Sequence, residues 1–112
     1  MTRFIGIALT NPVEGREQDF NEWYDNQHVP DVLSIPGCVS AQRFKLADTQ
    51  MPNRPCPYRY LAVYEYDADS AEQAIAAIMA GSGTRPSTDA WARDSFLTML
   101  FEPIGPKIEK KP

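Results

Sequence analysis

The residues best suited to chemistry lie in one short stretch, Phe20-Asn21-Glu22-Trp23-Tyr24-Asp25-Asn26-Gln27-His28-Val29-Pro30-Asp31. It holds the chain's only histidine, and imidazole is the side chain whose unperturbed pKa lies near neutrality. Asp25 precedes His28 by three residues and Asp31 follows it by three. On a helix either carboxylate can reach the ring, fix its tautomer and raise its basicity. The Asp31 relation is the weaker, because Val29 precedes a proline and is biased away from helical backbone. Trp23 and Tyr24 share the face and would wall a pocket for a flat ligand. A plainer role competes with this one. A histidine at a helix end also caps carbonyls and complements the macrodipole, Phe20 and Trp23 read as core aromatics, and Asp25 reads equally as a solvated charge.

Other candidates are thinner. Arg43 and Arg59 have the bidentate geometry for a carboxylate, yet strand arginines near loop ends commonly serve as exposed ion-pair partners. Cys38 follows Gly37 with no second histidine to activate it and reads as a structural thiol. Trp91, with the Gly81-Ser82-Gly83 loop, reads as a lid or, more simply, as a hydrophobic anchor. GxGxxG, P-loop and HExxH patterns are absent, which removes support for nucleotide-binding and zinc-protease classes. Cys38 and Cys56 lie in no CxxC motif and have no histidine at zinc spacing, so no metal and no cofactor is expected.

The elements that must position these residues follow from periodicity. Arg3–Thr10 reads as a strand, and Asn11-Pro12-Val13-Glu14-Gly15 as a turn. From Arg16 the period changes: Phe20, Trp23, Tyr24, Gln27 and His28 fall on one helical face. Pro30 disturbs that helix, Val32-Leu33 adds a further turn, and Ile35-Pro36-Gly37 stops it with glycine where positive φ is needed. Cys38–Leu46 is a second strand, and Ala47–Pro57 is too proline-rich to be one. Tyr58–Tyr66 has the strongest β propensity. Ser70 and Gln73 have capping-box spacing ahead of the stripe Ala71, Ala74, Ile75, Ile78 and Met79. After a loop at Gly81–Ser87 and a turn at Asp89–Arg93, Ser95–Pro103 is the last strand. The order β-α-β-β-α-β predicts an α+β, ferredoxin-like fold: a four-stranded antiparallel sheet with two helices on one face. One domain is expected over residues 1–106, with a tail at 107–112.

The other sheet face is left bare. In the third strand Leu61 and Val63 are expected on the dry helix side, and Tyr60 and Tyr64 on the open face, where a ring with a polar tip suits a partly wet surface. Phe4 and Phe44 are expected beside the tyrosines. Such a surface is too apolar to face water alone, and a twofold homodimer would cover it.

The composition is that of a folded domain. The chain has 112 residues, 43% hydrophobic and 23% charged, with a net charge of -4. That acidic balance argues against nucleic acid, whose affinity comes from phosphate neutralisation. Lys107, Lys110 and Lys111 read as a solubilising end. There is no apolar run long enough to span a membrane and no signal-peptide pattern at the start, so a reduced cytoplasmic protein is expected.

Phe20-Asn21-Glu22-Trp23-Tyr24, His28-Val29-Pro30, Ile35-Pro36-Gly37 and Arg43-Phe44 together resemble the pattern of EthD-like proteins in the dimeric α+β-barrel superfamily. The resemblance runs from Asn11 to Phe44, and Tyr60–Glu65 fits it more loosely. It implies a homodimer whose two sheets form a barrel, with a pocket between each sheet and its helices or loops. Relatives in the wider superfamily include isomerases, cofactor-free monooxygenases, polyketide cyclases, dehydratases and haem-dependent members. The residue matching the family's acid/base candidate is His28. The expected function is therefore a cofactor-independent isomerase, dehydratase or cyclase acting on a small hydrophobic, aromatic or cyclic carbonyl compound. His28, oriented by Asp25 or Asp31, would move the proton; Trp23 and Tyr24 would flank the substrate; Gln42, Tyr60 and Tyr64 would hydrogen-bond a developing oxyanion. The alternatives are a non-catalytic small-molecule-binding accessory protein and haem-dependent oxidation with His28 as axial ligand.

Overall fold

The computed structural model describes residues 1–52 and 55–112. Four strands form one antiparallel sheet in the order β2-β3-β1-β4, with β1 at Thr2–Pro12, β2 at Cys38–Lys45, β3 at Tyr60–Ala68 and β4 at Trp91–Phe101. Between β1 and β2 the chain runs through α1 (Glu17–Trp23), a π-helical turn (Tyr24–His28) and α2 (Val29–Leu33); α3 (Ala71–Ala80) joins β3 to β4. This is the ferredoxin-like α+β arrangement. Of the expected loop Ala47–Pro57, Asn53 and Arg54 lie outside the described residues. Gly37 takes φ +95°, and a Cβ there would stand 2.6 Å from the Asp67 carbonyl oxygen, so only glycine closes this turn against β3. Ser70 Oγ accepts from the Gln73 N–H at 3.0 Å, the expected start of α3.

Two strands face the other way from the sequence reading. Tyr60, Ala62, Tyr64 and Tyr66 are buried beneath the helices, as are Phe4 and Gly6, whereas Leu61 and Val63 lie on the open face. The cause lies in the helix layer. Tyr60 donates to Glu17 Oε2 at 2.6 Å and accepts from Asn21 Nδ2 at 3.1 Å, while the Tyr64 hydroxyl donates to that of Tyr24 at 3.4 Å. Polar tips satisfied inside the core need no wet surface. Phe44 is on the open face as expected, opposite Leu61.

The open face is consequently more apolar than a tyrosine-bearing one. Cross-strand registers place Phe44, Leu61, Leu9 and Leu97 in one row across all four strands, and Gln42, Val63, Ile7 and Met99 in the next. A third row runs Ser40, Glu65, Ile5, Phe101. Phe44, Leu97, Met99 and Phe101 are each at least two-fifths exposed in the single chain.

β4 begins at Trp91 rather than Ser95. A register shift between Thr10 and Pro12 lets Pro12 pair with Trp91, so the expected Asp89–Arg93 turn is partly strand. The Trp91 ring packs edge-on against Phe96 at 5.2 Å, an anchor rather than a lid.

Candidate functional site

Pro30 has no N–H to offer the Asn26 carbonyl, and its ring would crowd that group in a regular helix. The chain responds by widening: the Val29 N–H bonds back to the Tyr24 carbonyl, five residues earlier. Val29 itself stays helical at φ -60°, ψ -48°, so the break expected before the proline takes the form of a π turn. In a regular α-helix residues five apart point about 140° away from each other. The π turn brings them together: the Trp23 and His28 rings stack with centroids 4.7 Å apart and planes 23° off parallel. Tyr24 meets the imidazole edge-on at 4.9 Å. The Trp23 indole N–H is fixed in turn by the Pro86 carbonyl at 3.3 Å.

His28 forms part of the wall of a cavity of about 330 Å³ between the sheet and its helices. Gly6, Ala8, Tyr64 and Tyr66 contribute from the sheet, Val32 and Ile35 from the end of the first helical run, and Ile75, Ile78 and Met79 from α3. Small residues on β1 leave the room. At Gly6 a Cβ would stand 2.7 Å from a Tyr66 ring carbon, so glycine is what lets that ring lie across β1 and into the cavity.

The imidazole makes no hydrogen bond among the described residues, and its Nδ1 is buried without a partner. Desolvation lowers the His28 pKa below its ordinary value; Asp31 pushes it up, Arg85 and Arg43 push it down, and burial wins. His28 is therefore neutral at pH 7. With Nδ1 sealed off, the nitrogen that can meet a ligand is Nε2. A buried N–H without an acceptor is costlier to leave orphaned than a bare lone pair, so the favoured tautomer carries its proton on Nε2. The ring is thereby set up to donate.

Neither carboxylate orients the ring as expected. Asp25 is drawn away by Arg43, whose Nη1 donates to its Oδ1 at 2.8 Å. Arg43 belongs to the helix side of β2; its guanidinium also reaches Asn21 Oδ1 at 2.8 Å and lies 4.3 Å from the Tyr24 ring centroid. Asp31 Oδ2 accepts from Gln27 Nε2 at 2.8 Å, and the acid reaches His28 through its field alone. Gln42 sits in register with Val63 on the opposite face of the sheet, out of reach of the cavity. Tyr60 is held by Glu17 and Asn21 away from it. Tyr24 stands behind His28 and Tyr64. Of the expected set, the structure brings His28 and Tyr64 to one cavity, with Trp23 and Tyr24 supporting the imidazole.

Burial raises the Tyr64 and Tyr66 pKa values well above the usual phenol range, so both remain neutral phenols, Tyr64 with its proton directed at the Tyr24 hydroxyl. Among the cavity residues that sequence reading did not mark as site residues are Tyr66, whose role rests on a glycine in another strand, and Arg85. Both cysteines are free thiols, and burial raises the Cys38 pKa. Among the described residues no group of three or more His, Cys, Asp or Glu side chains could hold a metal ion. No helix of the described residues is long and apolar enough to cross a membrane.

Comparison with solved structures matches this architecture over nearly the whole chain to proteins that include the following three. An EthD family protein from Bacillus halodurans aligns with 93% of this chain and all of its own, at TM-score 0.58 and 19% identity. The chain has an EthD-like fold. An EthD-like protein from Ralstonia eutropha covers 96% of this chain and 97% of its own at TM-score 0.54 and 19% identity. The haem degrader MhuD from Mycobacterium tuberculosis, with two haems in its active site, covers 93% and 98% at TM-score 0.60 and 20% identity. No family model matches the sequence, and no curated protein matches it. At these identities the likeness to EthD-like proteins is one of fold.

Proposed function

We propose that this EthD-like chain is a cofactor-independent acid/base enzyme acting on a small hydrophobic cyclic carbonyl compound, assembled as a homodimer through its open sheet face. The observation that carries the reading is the chain's single imidazole, without a hydrogen bond among the described residues, in the wall of an apolar cavity. A volume of 330 Å³ lies at the small end of ligand pockets and suits one or two fused rings. His28, presenting Nε2–H, hydrogen-bonds the carbonyl oxygen and polarises it as negative charge builds there, while the Nε2 proton stays on the ring. A neutral imidazole acts as such an electrophile where its pKa is lowered. The apolar walls lower the local dielectric and strengthen that hydrogen bond.

The test is turnover of a panel of aromatic lactones and enol-ketones. Wild-type turnover with a loss of ~10²-fold or more in His28→Ala, at unchanged fold, is the expected result. Full activity in that variant would end the proposal. Binding without turnover across the panel favours the accessory-protein reading, in which His28 only anchors the ligand.

The MhuD neighbour binds haem in its active site, but axial ligation of haem by His28 fits these residues poorly. A metal-bound histidine nearly always gives its second ring N–H to a carboxylate, carbonyl or water, and the enclosed Nδ1 of His28 has no such acceptor. No step is therefore assigned to haem.

A further inference from the structure

Arg85 sits in the wall of the apolar cavity beside His28 and Tyr66. Its Nη2 donates to the Ile78 carbonyl, near the end of α3, at 2.8 Å. The guanidinium folds over Gly81, where a Cβ would stand 3.2 Å from that same nitrogen. A helix C-terminus favours a cation, which explains why the guanidinium docks there. That contact uses one of five N–H donors. Among the described residues Arg3, Arg16, Arg43 and Arg59 each have a carboxylate partner; Arg85 and Arg93 have none, and Arg93 donates to Ser87 and the Thr88 carbonyl away from this cavity. Asp31, which borders an adjoining groove with Arg85, is bound by Gln27 instead. The charge of Arg85 acts on its neighbours, pressing down the pKa values of both His28 and Tyr66. A half-buried cation with spare donors ordinarily finds a counter-ion.

We infer that Arg85 is the anion-recognising residue of this pocket, and that its ligand carries a carboxylate or equivalent anionic oxygen on an apolar ring body. The anionic end meets the guanidinium while the ring fills the space between α3 and the sheet. This rests on the pocket being the ligand site, as proposed above, and adds the charge of the ligand.

The test measures calorimetric affinities for a matched pair, 2-naphthoate and the neutral 2-naphthamide, at pH 7.5. The wild type is expected to prefer the acid by roughly tenfold or more, the worth of a charge-assisted hydrogen bond. Arg85→Gln keeps a donor for the Ile78 carbonyl and should bring the acid to the amide's affinity, leaving the amide unchanged. Arg85→Lys should retain a preference for the acid. Equal wild-type affinities, or a preference that survives in Arg85→Gln, overturn the inference while amide binding still upholds the pocket. If neither compound binds the wild type at millimolar concentration, the pocket reading falls and Arg85's role with it. The wild-type comparison decides the matter even if a variant fails to fold.

Discussion

Replacing Ala8 with leucine separates a ligand pocket from a packing defect. Ala8 lies in register with Ala62 and Thr98 on the helix side of the sheet and helps to line the 330 Å³ cavity. Leucine adds three carbons to an apolar space that already has room for them. At ~0.8 kcal/mol for each buried carbon the gain is about 2.4 kcal/mol. Ordering the side chain returns ~0.5–1 kcal/mol of it, leaving a net stabilisation of roughly 1.5 kcal/mol. For a domain of this size that raises Tm by about 6 °C. The same change takes away space in which a substrate would lie, so stability and function should move in opposite directions, as at sites kept for function. The assay is thermal unfolding at fixed protomer concentration, beside calorimetric binding of 2-naphthamide. The expected result is a more stable protein that no longer binds. A less stable variant would mean the space is not there to fill. A more stable variant with undiminished binding would put the ligand elsewhere.

Because burial holds the His28 pKa below ~6.5, the unfolded chain binds more protons just below that pH and stability must fall as pH drops through it. Denaturant midpoints should show this loss in the wild type and a flatter profile in His28→Gln; identical profiles would contradict the burial argument. On the open face, Leu61→Glu sets a carboxylate in the all-apolar row Phe44-Leu61-Leu9-Leu97 and should give single chains at micromolar concentration by sedimentation, where the wild type is expected to give pairs. A paired variant would place the contact on another surface.

The order of elements was legible because each one carries its own period and stop signals, down to Ser70 as cap and Gly37 as turn. The sheet faces were not. Alternation along β3 separates Tyr60 and Tyr64 from Leu61 and Val63 but does not say which set faces the helices. That choice belongs to Glu17, Asn21 and Tyr24, which satisfy the hydroxyls from another element. The site shows the same division. His28 stood out as the sole imidazole, whereas its neighbours followed from events beyond local spacing. Pro30 forces a π turn that stacks Trp23 on His28, and Arg43 captures Asp25. Gln42 ends on the far side of the sheet, and Arg85 arrives from a loop with no motif. Helical spacing alone would have given both aspartates to the imidazole.

A protein with one histidine allows its imidazole to be read without ambiguity by ¹⁵N NMR across a pH titration. The expected ring is neutral at pH 7, protonated on Nε2 and titrating below the ordinary histidine value, with the Nε2 signal shifting when 2-naphthamide binds. A ring that carries its proton on Nδ1, titrates at or above the ordinary value, or ignores the ligand would contradict the account at its centre.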